Sequence, residues 1–153
     1  IYTQNIDLLH QKAGSRQVYE IHGSPATHTC LSCAASASYD SVVTAVHTGA
    51  VPHCTVCGGI LKPDIVFYGE LLNSALLDAA YRDMAKADLV LVLGSSLTVQ
   101  PAASLPMATY YHGGKVVIVN AQETPLDSHA AVRLHDLKST FAELESWLDQ
   151  LPT

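Results

Sequence analysis

With 153 residues, 48% hydrophobic and 14% charged, the chain has enough apolar material for one folded domain with a small insert, and its composition excludes a disordered or collagen-like protein. A formal charge of −6 argues against an extended electrostatic footprint for nucleic acid and favours small-molecule or protein partners. The longest apolar run, residues 89–93, is far short of a membrane span, and the first residues lack the pattern of a secretory leader, so a soluble, cytoplasmic protein with no membrane partner is expected.

Residues 2–14, YTQNIDLLHQKAG, read as a strand end carrying the short polar groups Gln4, Asn5 and Asp7, then a short helix stopped by Gly14. VYEIHG, residues 18–23, is an alternating strand ending at His22 and Gly23. Residues 28–61 are different in kind, rich in Ser, Thr, Ala and His, with one helical pattern at 39–49 that places Val42, Val43 and Val46 on a small apolar face. KPDIVFYGE (62–70) is a short strand with a turn, residues 73–87 form a helix capped by Asn73 or Ser74, and DLVLVLG (88–94) is a buried strand. Residues 101–112 are expected as one helix with Pro106 inside it, GGKVVIVN (113–120) as a second buried strand, AVRLH (131–135) as a third, and 139–151 as the closing helix. Continuous apolar strands separated by helices predict an α/β fold with a parallel sheet covered on both faces.

Cys30, Cys33, Cys54 and Cys57 are all the cysteines in the chain and form C-x2-C-x20-C-x2-C. A two-residue spacer lets both thiolates of a pair reach one ion, and two pairs complete a tetrahedral sulfur shell suited to Zn²⁺. The competing reading, two disulfides, needs an oxidising compartment that nothing in the sequence suggests. A closed shell has no open position for water or substrate, so the zinc is expected to be structural, with His28 and His53 as bystanders. The surrounding segment has little apolar content, and metal binding should supply much of its folding free energy.

Two strands end in polar loops: Gly94, Ser95 and Ser96 follow one, and Asn120 ends the other. In parallel α/β sheets ligands sit at such carboxyl ends, so these residues are candidates for a ribose or phosphate, although neither a G-x-G-x-x-G nor a Walker loop is present. By themselves His22, Asn5 and Asp7 read equally as structural, capping or turn residues.

In order, TQNIDLLHQKAG, IHG, the paired cysteine knuckles, KPDIVFYGE, GSSLTVQP and VIVN resemble the sirtuin family of NAD-dependent protein deacylases, particularly its bacterial members, over essentially the entire chain. The resemblance implies a Rossmann-like NAD-binding domain (residues 1–27 and 62–153) with a zinc-ribbon insert (28–61), and NAD meeting an acyl-lysine protein or peptide between them. It implies that Gln4 bonds the nicotinamide ribose, that Asn5, Ile6 and Asp7 line the nicotinamide pocket, and that His22 is the general base acting on the ribose hydroxyls. An imidazole, titrating near neutrality, suits that proton transfer. It also implies that Val66, Phe67, Tyr68, Gly69 and Glu70 receive the acyl-lysine, and that backbone at 69–72 and 98–101 pairs with the substrate as an added strand. Gly94, Ser95, Ser96, Asn120, Ala121, Gln122 and Lys138 would hold the adenosine half.

Tyr68 stands where the family commonly has a second Phe. The family's Gly-Ala-Gly pyrophosphate loop, which precedes the TQNID strand, is not among these residues, so the sheet is expected to be incomplete, with an exposed edge and apolar face that favour self-association. The reaction implied is acyl transfer from lysine to ADP-ribose with release of nicotinamide. The alternatives are a non-catalytic zinc-ribbon binding module, favoured by the absent loop, and mono-ADP-ribosyl transfer.

Overall fold

The computed structural model describes residues 1–151 and divides into two compact units, one from Ile1 to Ser74 and one from Ala75 onward. In the first, β1 (Tyr2–Thr3) pairs in parallel with β2 (Tyr19–Glu20), and the helix α1 (Leu9–Lys12) lies between them in sequence. Tyr2 and Tyr19, in register, stack with ring centroids 4.8 Å apart. The strand expected to run to His22 stops at Glu20, and a new one, β3 (Gly23–Cys30), starts at Gly23, where the backbone turns with φ +74°.

Glycine is required there. A Cβ on Gly23 would lie 2.0 Å from the carbonyl oxygen of Asp64, on the strand that Gly23 pairs with. That strand, β5 (Leu61–Ile65), and β4 (Ser36–Ser38) flank β3 in an antiparallel sheet of order β4-β3-β5. The helix α2 (Tyr39–His47) contributes Val42 to a cluster with Cys30, Cys54 and Leu61, flanked by Ala35 and Ala37. Two of those four buried residues are cysteines, so the apolar core of this sheet is small.

The second unit contains α3 (Ser74–Lys86), β6 (Leu89–Leu93), α4 (Pro106–Tyr111), β7 (Lys115–Val119), β8 (Val132–Leu134) and α5 (Leu137–Leu148). Its three strands form a parallel sheet in the order β6-β7-β8, with Leu91 opposite Val117 and Val117 opposite Val132. Val92, Val116 and Ile118 face one side and pack with Leu97 and Ala103, joined by the half-buried Val90, Leu126 and Ala130. Thr109, fully buried on α4, donates its hydroxyl to the carbonyl of Met84 on α3 at 2.7 Å.

Three expectations are corrected. Residues 101–112 do not form one helix: a 3₁₀ turn at Ala102–Ser104 precedes α4, which restarts with Pro106 at its first position, where a missing N–H costs nothing. The closing helix begins two residues earlier than expected because Asp136 caps it, its Oδ1 accepting the N–H of Ser139 at 2.7 Å. The parallel sheet is fully covered on one face only, which overturns the cover on both faces read from its strands and agrees with the exposed apolar face that the resemblance implied. On the other, Leu89, Leu91, Leu93, Val132 and Leu134 remain 37–50% exposed, and Leu91, Leu93, Val117 and Leu134 line an open groove of 410 Å³ with Phe141, Leu144 and Trp147 of α5. Among the described residues no helix is long and apolar enough to cross a membrane.

Candidate functional site

The four cysteines come from two copies of the same turn. Ala34 N–H bonds Cys30 O at 3.0 Å and Gly58 N–H bonds Cys54 O at 2.8 Å. In each turn an amide also points at the first sulfur: Ser32 N–H to Cys30 Sγ and Val56 N–H to Cys54 Sγ, both at 3.4 Å. The turns face each other, so Cys30 Sγ lies 3.5 Å from Cys57 Sγ, Cys33 Sγ lies 3.7 Å from Cys54 Sγ, and all four sulfurs fall within 4.8 Å of one another. Sulfurs bound tetrahedrally at about 2.3 Å from a zinc ion stand about 3.8 Å apart, so the cluster has the right size for the ion, whereas a disulfide needs about 2.05 Å.

The electrostatics agree. Amides of Cys33 and Ser32 draw the Cys30 thiol down to about 6, whereas at Cys33 the Ala35 amide is outweighed by the neighbouring sulfurs of Cys57 and Cys30 and the thiol is pushed up to about 12. A thiolate at Cys30 therefore opposes ionisation of Cys33, and a cation bound between them would relieve that opposition. Neither neighbouring histidine joins the cluster: His53 Nδ1 bonds Gly58 O at 2.9 Å, and the buried His28 ring lies 6.4 Å from that of Tyr39.

A second group in the same unit gathers around His22. Its Nδ1 lies 3.0 Å from the carbonyl oxygen of Gln4, and its own carbonyl accepts the N–H of Val66 at 2.9 Å. A carbonyl can only accept, so Nδ1 carries the proton, and Nε2 of the neutral ring keeps its lone pair. Asn5 N–H bonds the buried Thr3 hydroxyl at 3.1 Å, Ile6 is 39% exposed, and Asp7 Oδ1 takes the N–H of Leu9 at 3.0 Å, fixing the start of α1. Gln4, His22 and Val66 are thus tied together, whereas the Asp7 carboxylate is engaged by its own helix. The Phe67–Glu70 turn follows, with Phe67 half exposed and Tyr68 wholly so, which leaves the extra hydroxyl of Tyr68 in solvent.

In the second unit Gly94, with φ +61°, donates its N–H to Val119 O at 2.9 Å, so the loop beginning Gly94-Ser95-Ser96 and the one beginning Asn120-Ala121-Gln122 leave the sheet side by side. A Cβ on Gly94 would stand 3.3 Å from Leu137, which places the first turn of α5, with Lys138, at the same end. Asn120 bonds Gln122 O through Nδ2 at 2.9 Å. Arg133, not singled out from the sequence, organises this loop: it pairs with Asp127 at 3.1 Å and donates to the carbonyls of Gln122 and Leu134. An arginine between Val132 and Leu134 in a strand was the signal that could have exposed it.

Among the described residues the three non-glycine residues with left-handed φ are Leu8, Ala34 and Leu97. Each sits within one of these stretches, beside Asp7, within the first cysteine turn, and beside Ser96. Such strain persists only where surrounding structure holds it, and it gathers at functional loops.

The family model described as Sir2 family matches residues 1–101. An NAD-dependent protein deacetylase of Thermotoga maritima is 44% identical over 133 residues, covering 87% of this chain and 54% of the relative. An NAD-dependent protein deacylase 1 of Archaeoglobus fulgidus is 43% identical over 126 residues, covering 82% of this chain and 50% of the relative. A solved Sir2 complex with a p53 peptide and NAD+ is 40% identical with a TM-score of 0.88 over 97% of this chain and 62% of that one. A structure of Sir2Tm bound to a propionylated peptide gives 40% identity, a TM-score of 0.89, and coverage of 99% and 64%. The chain spans about half the length of the curated relatives it matches. A family model running through both the cysteine turns and the His22 group, and relatives above 40% identity along most of the sequence, lead to one conclusion: the chain belongs to the Sir2 family.

Proposed function

We propose that these residues belong to an NAD-dependent protein-lysine deacylase that transfers an acyl group from lysine to ADP-ribose and releases nicotinamide. The observation that carries the reading is the tie from His22 Nδ1 to Gln4 O, which fixes the tautomer and leaves Nε2 free to take a proton. Bound NAD would supply an electrophilic ribose carbon with nicotinamide as leaving group. Gln4 would orient the ribose, Asn5, Ile6 and Asp7 would hold the nicotinamide carboxamide, and the carboxylate of Asp7 favours positive charge nearby. Gly94, Ser95, Ser96, Asn120, Ala121, Gln122 and Lys138 would bind the adenosine half, and Val66 to Glu70 the acyl-lysine, with the backbone at 69–72 and 98–101 adding the peptide as a strand.

A zinc ion held by Cys30, Cys33, Cys54 and Cys57 would have no part in the chemistry, since four thiolates would leave it no open position. We take residues 28–61 as its ribbon and the remainder as the NAD-binding domain. A four-cysteine metal site suits a reducing compartment, which supports a cytoplasmic setting.

The test is incubation of the natural full-length polypeptide that carries these residues with NAD and an acetyl-lysine peptide, read by mass spectrometry. Deacetylated peptide with O-acetyl-ADP-ribose is expected. ADP-ribose attached to protein, without deacetylation, would replace the reading by mono-ADP-ribosyl transfer, and no reaction from folded, zinc-loaded protein would leave a binding module.

The partly covered face of the parallel sheet supports self-association of residues 1–153 on their own. β6 is an edge strand, and its outward leucines are half exposed. Sedimentation velocity over a concentration series is expected to show a second copy associating, with Leu91→Lys shifting the chain toward monomer. A monomer at every concentration overturns this.

A further inference from the structure

Lys62 and Glu70, at the two ends of the KPDIVFYGE stretch, close a clamp over the turn between them. Lys62 Nζ pairs with Glu70 Oε2 at 3.0 Å, donates to Ile65 O at 2.8 Å and to Pro63 O at 3.4 Å, and stands 4.6 Å above the centroid of the Phe67 ring. The same Glu70 oxygen accepts the N–H of Phe67 at 2.9 Å, while Glu70 N–H bonds Phe67 O at 3.0 Å. One carboxylate oxygen thus satisfies an ammonium and an amide, and one ammonium spans a strand end and a turn. These charge-assisted bonds hold Glu70 ionised, its carboxyl drawn below the usual range first by the Phe67 amide and then by Lys62.

What the clamp holds is an exposed apolar surface. Phe67 is 49% exposed and Tyr68 108% in a turn that is nevertheless tied at both ends, and Leu71, just beyond it, is 94% exposed. The next residue back, Val66, donates its N–H to the carbonyl of His22, whose ring is in turn bonded to Gln4. A loose loop would have to be ordered when a ligand arrives, and a fixed one avoids that cost.

We propose that Lys62 and Glu70 are positioning residues that hold the 66–72 loop ready for the acyl-lysine peptide and in register with His22. The inference rests on the proposed reading of that loop as the substrate site. It predicts a split: Lys62→Met should raise KM for an acetyl-lysine peptide about fivefold with kcat little changed, the size expected of a partly exposed ion pair reinforced by charged hydrogen bonds. Lys62→Arg, which keeps the charge, should recover most of the loss.

The experiment has two readouts on the natural full-length polypeptide. Hydrogen exchange at the Phe67 amide should accelerate in Lys62→Met, with the amides of Val116 to Val119 unchanged, and steady-state kinetics should show the KM effect and its rescue by Lys62→Arg. Unchanged exchange at Phe67, or faster exchange with unchanged KM, overturns the clamp while leaving the deacylase reading intact. A wild-type protein that neither binds nor turns over acyl-lysine peptide overturns the functional reading instead, whatever the exchange at Phe67, and takes the clamp's role in substrate binding with it.

Discussion

Stripping the metal with a chelator is expected to unfold the cysteine-bearing sheet and to leave the parallel sheet standing. The reason is how little else holds the first together. Its buried cluster is Cys30, Val42, Cys54 and Leu61, so half of the core residues also belong to the cysteine group that would hold the metal. Without the ion the sulfurs lose the charge that lets them share one small space, and the apolar contacts of Val42 and Leu61 cannot repay the chain entropy of residues 28–61. The parallel sheet has Val92, Val116 and Ile118 packed against Leu97 and Ala103 and needs no ion. Metal analysis should find a single zinc ion per chain in the wild type, and hydrogen exchange after chelation should lose protection at Thr27 to Cys30 but retain it at Val116 to Val119. Cys54→Ser should match the chelated protein more closely than Cys57→Ser, because Cys54 is buried in that cluster and Cys57 is exposed. Intact protection across residues 28–61 in a zinc-free chain would show that the ion is dispensable to the fold.

The cysteine site was legible because its information is local. A two-residue spacer sets each pair of thiols, and the structure adds only the facing of two equal turns. β6, β7 and β8 were legible for a similar reason, since runs such as LVLVL and KVVIV admit few alternatives to a buried strand. The strand β3 was not: Gly23, Ser24, Pro25 and Ala26 carry no apolar alternation, and the strand exists because β4 and β5 flank it. Pro106 reads from the sequence as lying within a helix but starts one, at the position where its missing N–H has no intrahelical partner to lose. The ion pairs Lys62–Glu70 and Arg133–Asp127 were invisible because each depends on a turn bringing together charges six or eight residues apart. The incompletely covered sheet face escaped the apolar pattern, which describes a strand covered on one face or on two, and was implied only by the resemblance.

Replacing His22 should have the largest effect on catalysis. General-base catalysis contributes about 10²- to 10⁴-fold, so His22→Ala is expected to lower kcat by that factor in the full-length polypeptide. Alanine also removes the bond to Gln4 O, and the loss by itself would not separate a proton-transfer role from a positional one. His22→Asn separates them. Its amide N–H can still donate to the Gln4 carbonyl, but it has no lone-pair nitrogen to take a proton. If Nε2 is the base, His22→Asn should be nearly as inactive as His22→Ala while binding the acetyl-lysine peptide with close to wild-type affinity, since the Val66 amide still finds the carbonyl of residue 22. If His22 only braces the Gln4 strand against the substrate loop, His22→Asn should recover most of the activity and His22→Ala should weaken peptide binding as much as turnover. Gly23 next to it must stay glycine in either case, because with φ +74° a Cβ there would run into Asp64 O where β2 gives way to β3. The proton acceptor of the proposed reaction is therefore fixed by backbone on two sides, at Gln4 and Val66, and Nε2 is the atom that this fixing leaves for chemistry.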